Sequence, residues 1–141
     1  MKENLIREFD KAQDMPMLND WLAAHCRPAI PAEMLPSLGI VLFNGVTLEE
    51  QAALWLYMDN SVGVCFCERV VTRPGLSLKE SKAIILEGLE FLKQRAATMN
   101  YGVMFVRCYP AIAKCLKGKG YFEDDRPVIS LFTTTKEEPH A

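Results

Sequence analysis

Val70–Ser81 reads VVTRPGLSLKES. A β-branched run stops at Thr72, and a turn holding Pro74 and Gly75 follows. Ser77-Leu78-Lys79-Glu80 then has the form of a capping box that starts a helix. Strand, glycine turn and helix is an order that often holds phosphate, because helix N-terminal amides point at the anion. The residues themselves pull the other way. Pro74 has no N–H to donate. Ser77 is placed to take the Glu80 amide, Glu80 to take the Ser77 amide, and Glu80 adds negative charge at the helix start. Arg73, Lys79 and Lys82 are the cations that would offset this. The stretch reads either as a phosphate turn or simply as a well-capped helix.

Working outward, Val62 to Thr72 is the clearest strand: long, β-branched and without helical periodicity. Leu78 to Thr98 is the clearest helix, with Ile85, Leu89, Leu92 and Ala96 as its apolar stripe. Upstream, Leu5 to Phe9 is a first strand and Asp14 caps a helix carrying Leu18, Trp21 and Leu22. The three prolines of Arg27 to Ser37 mark an extended loop. Leu38 to Phe43 is a strand ending at an Asn44-Gly45 turn. Gln51 to Met58 is apolar throughout, either a central strand or a buried helical turn; its aromatics favour a strand. Downstream, Val103 to Arg107 is a short strand, Ala111 to Leu116 a helix closed by Gly118 and Gly120, and Val128 to Thr134 a final strand. Strands on either side of a long helix require a crossover and a parallel pair. The expected fold is a mixed α/β layer structure, an antiparallel meander followed by a parallel β-α-β crossover with helices on both faces. Residues 1–135 form its single domain, and 136–141 a short polar tail.

The chain has 141 residues and a formal charge of −2, which gives no electrostatic reason to expect nucleic acid or an anionic membrane. No apolar run approaches a membrane span, and MKENLIREFD does not read as a signal peptide. Five cysteines without an export signal favour free thiols in a reducing compartment, so a cytoplasmic location is expected. Cys65 and Cys67 share one strand face. Two thiols do not make a zinc site, and with His25 and His140 the only histidines no metal is expected. Nothing in the sequence orders a Cys–His pair, and the Gly118-Lys119-Gly120 run lacks the rest of a P-loop.

The strand ending ERVVT, the turn and helix GLSLKESKAIILEGLEFLKQRA, the strand GVMFVR and the piece AIAKCLKGKGYF together resemble the GNAT superfamily of acyl-CoA N-acyltransferases. The likeness runs from about Leu38 to Phe132. The meander strands LGIVLF and AALWLYM also resemble GNAT-like proteins encoded by bacteriophages, and the resemblance implies a divergent, phage-type member. The resemblance implies that the sheet splays beside the long strand and that acetyl-CoA, as co-substrate, enters the wedge. Pantetheine would then lie on the backbone of Val70, Val71 and Thr72. The phosphates would lie on Arg73, Gly75, Leu76, Ser77 and Lys79. It implies Glu68 as the base, where apolar neighbours would raise its pKa. The family's usual acid position falls on Leu116, beside Cys115, and a frequent Asn falls on Tyr109; Tyr109 and Cys115 are the substitute acids. The acceptor would be an amine on a small molecule or a protein, and a homodimer is a further expectation. The departures at the phosphate turn and at Leu116 support a second reading, a catalytically inactive GNAT-fold binding or structural module.

Overall fold

The strands and helices follow in the order β1 (Asn4–Glu8), α1 (Lys11–Ala24), β2 (Gly39–Asn44), β3 (Glu50–Met58), β4 (Val64–Thr72), α2 (Leu78–Thr98), β5 (Val103–Val106) and α3 (Pro110–Lys117). This is the order in the computed structural model, which describes residues 4–124, 126, 128, 129, 131, 133 and 135. The five strands form one sheet in sequence order. Neighbours are antiparallel from β1 to β4, and β4 runs parallel to β5. The parallel pair follows from α2, whose length carries the chain back across the sheet.

β3 lies at the centre, which explains its unbroken apolar run. Ala52, Leu54 and Leu56 pack beneath α2 and α3, with Ile40, Leu42, Cys65 and Cys67 beside them. Ala53 and Trp55 face the other way, against Leu18, Trp21 and Leu22 of α1. Helices therefore cover both faces. The buried stripe of α2 is Ile84, Gly88, Leu89, Leu92 and Ala96. Ile85, expected in that stripe, is half-buried instead.

Asp14 is not the cap of α1. Asp10 is, accepting the Ala12 amide at 2.9 Å. Asp14 is drawn inward to Arg7, which donates to its two oxygens at 2.7 and 2.9 Å. A charged group this close to the core is kept only when paired. The final strand is also corrected. Of Val128 to Thr134, the described residues Val128, Ile129, Leu131 and Thr133 are not in a strand, and the first three are exposed; the others, like the expected tail 136–141, lie outside the described residues. No helix among the described residues is long and apolar enough to cross a membrane.

Gly39 pairs with Trp55 across β2 and β3. A Cβ there would lie 2.5 Å from Trp55 Cδ1 and Nε1 and 3.1 Å from Phe9 Cβ. Trp55 is fully buried and stacks edge-on with Phe9, so it has nowhere to retreat. Gly39→Ala is expected to cost about 1–3 kcal/mol by overpacking, read from the urea midpoint. A loss below about 0.5 kcal/mol, the ordinary size of a surface substitution, would show that the indole can move aside.

Candidate active site at the splayed strands

β4 and β5 pair only from Val64↔Val103 to Cys67↔Val106, closing with the Arg107 amide on Cys67 O at 3.1 Å. β4 then runs on to Thr72 without β5. The cause lies in its other neighbour. Trp55 pairs with Arg69 but Tyr57 with Phe66, so β4 holds an extra residue between Phe66 and Arg69. Such a bulge bends and twists its strand. Glu68 sits in it, at the point where the strands part.

The free edge of β4 has a defined register. The Arg73 amide donates to Gln51 O at 2.8 Å, so the backbone of Arg73 and Val71 turns toward β3. By alternation, the amide and carbonyl of Val70 and Thr72 turn toward the gap. Thr72 O already meets His25 Nε2 there, at 2.8 Å. A cavity of about 700 Å³ opens in this wedge. Val70, Ile85, Leu89, Val106 and Ile112 make an apolar wall on the α2 side, and the Pro-rich segment from Arg27 to Pro31 faces it.

Of the residues singled out in the sequence, Glu68, Val70, Val71, Thr72 and Tyr109 line this cavity. Cys115, half-buried on α3, is not among its lining residues. Val71 packs away from the α2 side, into the α1 core. The apolar surroundings expected for Glu68 are not there: its side chain is 40% exposed and Arg107 Nη2 stands 3.8 Å from Oε1. The bulge swings it out of the sheet. Tyr109 is the N-cap residue of α3, and its hydroxyl oxygen accepts from Arg27 Nη2 at 2.7 Å. That leaves the hydroxyl proton free to donate.

The turn after β4 is open at its tip. Gly75 has φ of +88°, and a Cβ there would meet nothing within 4 Å. Ser77 Oγ caps the Glu80 amide at 3.1 Å, as expected. Glu80 does not reach back to the Ser77 amide; its Oε1 takes the Ser77 hydroxyl proton, at 3.1 Å. Arg73 is turned away, toward Glu49 at 3.0 Å and Gln51 at 3.5 Å. Leu76 packs on the α2 core, and Lys79 is exposed.

Sequence reasoning missed Arg27, Arg69 and the role of Ile85. Arg69 is the sequence neighbour of Glu68 and does not pair with it. Across the sheet, its Nε donates instead to Tyr57 Oη at 2.9 Å, and only the strand register could have shown this. Cys65 and Cys67 are both buried. Burial, with smaller contributions from Cys65, Cys108 and Glu68, pushes the Cys67 thiol up to about 12. It is a neutral core group at physiological pH. Among the described residues no three His, Cys, Asp or Glu side chains are grouped to hold a metal ion.

No protein-family model and no curated protein matches the chain. Solved structures do. An acetyltransferase from Trypanosoma brucei superposes with a TM-score of 0.62 at 16% identity, covering 92% of this chain and all of that one. An aminoglycoside N-acetyltransferase in complex with CoA gives 0.63 at 12%, covering 95% and 97%. A GNAT-family acetyltransferase from Streptococcus pneumoniae gives 0.55 at 13%, covering 95% and 100%. The chain has the GNAT acetyltransferase fold.

Proposed function

We propose that this protein is an acetyl-CoA-dependent N-acyltransferase whose reaction takes place in the wedge between β4 and β5. The observation that carries the reading is the splay itself: a bulged strand that leaves its partner, exposes backbone at Val70 and Thr72, and opens an apolar-walled cavity at that edge. An extended, amide-bearing chain such as pantetheine can pair with a free strand edge. The Val70 amide and carbonyl and the Thr72 amide suit it, while His25 competes for Thr72 O. The phosphates would meet the turn at Gly75, which admits close approach, and the Ser77 amide that Glu80 leaves open. Lys79 is the exposed cation there; Arg73, ion-paired to Glu49, has to swing to help.

In the transfer, Glu68 accepts a proton from the acceptor ammonium. The amine lone pair attacks the thioester carbonyl, the C–N bond forms, the nitrogen releases its surplus proton to water, and the C–S bond breaks with its electron pair on sulfur. Tyr109, whose oxygen is held by Arg27, gives its proton to the departing thiolate. The neighbour solved with CoA is consistent with the donor.

Isothermal titration with acetyl-CoA tests the reading. A micromolar-to-submillimolar dissociation constant is expected, and Gly75→Val should weaken it about tenfold by placing a branched side chain, strained at positive φ, where the diphosphate lies. No binding at millimolar ligand sinks the acyltransferase and leaves the fold as a binding or structural module. Unchanged affinity in Gly75→Val places the phosphates elsewhere.

A further inference from the structure

Among the described residues, two arginines of the cavity have no carboxylate partner. Among the described residues, the side chain of Arg27 bonds only the Tyr109 hydroxyl, and that of Arg69 only the Tyr57 hydroxyl. Tyr57 passes its own proton to Met34 O at 3.1 Å, which ties Arg69 to the same Pro-rich loop that begins at Arg27. Because Arg69 is held through Nε, both its terminal nitrogens are left to donate, as are Nη1 and Nε of Arg27. The cavity's carboxylate, Glu68, stands nearer to a third arginine, Arg107. The chain as a whole is acidic, with a charge of −2, so this local excess of guanidinium is a property of the site. Arg69 is half-buried and Arg27 exposed at the cavity mouth; a half-buried guanidinium is normally paired, and the fork of either group matches a planar carboxylate or a phosphate.

The two sides of the sheet divide the labour. Val70 pairs with Leu54 and packs toward α2, the side of the apolar wall and the turn at Gly75. Arg69 pairs with Trp55, whose side chain lies in the α1 core, so it emerges on the opposite face beside Tyr57 and Met34. Glu68, in the bulge, stands between them. An anion held by Arg69 and Arg27 therefore belongs to the acceptor and not to the donor's phosphates.

We infer that the acceptor is a small amine that also carries a carboxylate or phosphate, bound by Arg69 and Arg27 so that its amine reaches Glu68. The inference rests on the acyltransferase reading for the roles of donor and acceptor. Its test is transfer to matched pairs: phosphoethanolamine against ethanolamine, and 4-aminobutanoate against butylamine. The wild-type protein is expected to favour the anionic member of at least one pair by about tenfold or more in kcat/KM, the size of one charge-assisted contact. Arg69→Gln should cut that preference to about threefold or less, mainly through KM; Arg27→Gln should cut it equally, and also lower kcat for both members of a pair, because Arg27 holds the Tyr109 oxygen. Acetyl-CoA affinity should hold in both variants. A wild type with no anionic preference in either pair overturns the inference. So does a variant that loses acetyl-CoA affinity together with the preference, since the guanidiniums would then serve the donor's phosphates. Thermal-shift titration of the same amines without acetyl-CoA keeps the test independent of turnover. A shift with the anionic members that Arg69→Gln abolishes supports the site even if no transfer occurs. No shift in the wild type, in a protein that also transfers no acetyl group, overturns it.

Discussion

Glu68→Gln is expected to lower kcat for acetyl transfer by about a hundredfold or more, the usual contribution of a general base, while acetyl-CoA affinity stays the same. The substitution keeps size and shape at the bulge and removes only the ability to take a proton. Glu68 does not stabilise the core: it is 40% exposed, and its contact with Arg107 is long at 3.8 Å. Exposed pairs of this kind contribute about 0–1 kcal/mol, so the variant should fold normally. An acceptor that is already neutral at the assay pH, such as hydroxylamine, needs no base and should lose much less. Wild-type turnover of an ordinary alkylamine by the variant would remove Glu68 from the mechanism. An equal loss with hydroxylamine would assign it to positioning.

Asp14→Asn is expected to destabilise the fold by about 2–3 kcal/mol near pH 7, below the 3–5 kcal/mol of a fully buried broken pair because Arg7 keeps some access to water. Asp14 accepts two bonds from Arg7 and one from the Asp10 amide at 2.8 Å, so it joins β1 to the first turn of α1. Its side chain is only 9% exposed. Burial by itself would raise the Asp14 pKa. The Arg7 hydrogen bonds, the Asp10 amide and the Arg7 charge together outweigh it and hold the carboxyl below its ordinary value. A depressed folded pKa gives stability that is fully present above the unfolded value, near 3.9, and is lost as pH falls through the folded value. Urea midpoints for the wild type should therefore drop below about pH 4, and the gap to Asp14→Asn should narrow there. A gap that stays constant down to pH 2 would mean that shape, not charge, holds this corner.

Local pattern made the long elements legible. Leu78–Thr98 was readable to the residue, because its capping serine and apolar stripe are short-range features. The stripe was rotated by one position at its start: Ile84 is buried while Ile85 faces the cavity, and both fit a helical period equally well. Asp14 was misread as a cap because capping and ion pairing draw on the same residue type; only the placement of Arg7 on β1 separates them. The described part of Val128 to Thr134 shows the limit of β-propensity. Branched residues favour a strand only where a partner edge and a buried face await them, and Val128, Ile129 and Leu131 are exposed.

The sequence by itself determined the succession of strands and helices as far as α3, the crossover and therefore the parallel β4–β5 pair, since these follow from periodicity, turn residues and the reach of α2. It also placed Glu68 and Val70 on β4. The tertiary structure alone decided that this strand is bulged at Glu68, that it leaves β5 after Cys67, and that Arg27, Arg69 and Tyr109 meet around the gap. These are matters of register between strands and of contacts far apart in the chain. Arg27 reaches Tyr109 across 82 positions, and Tyr57 sets the direction of Arg69 from the neighbouring strand. A one-residue shift in pairing changes which side chains face the cavity without changing any local pattern.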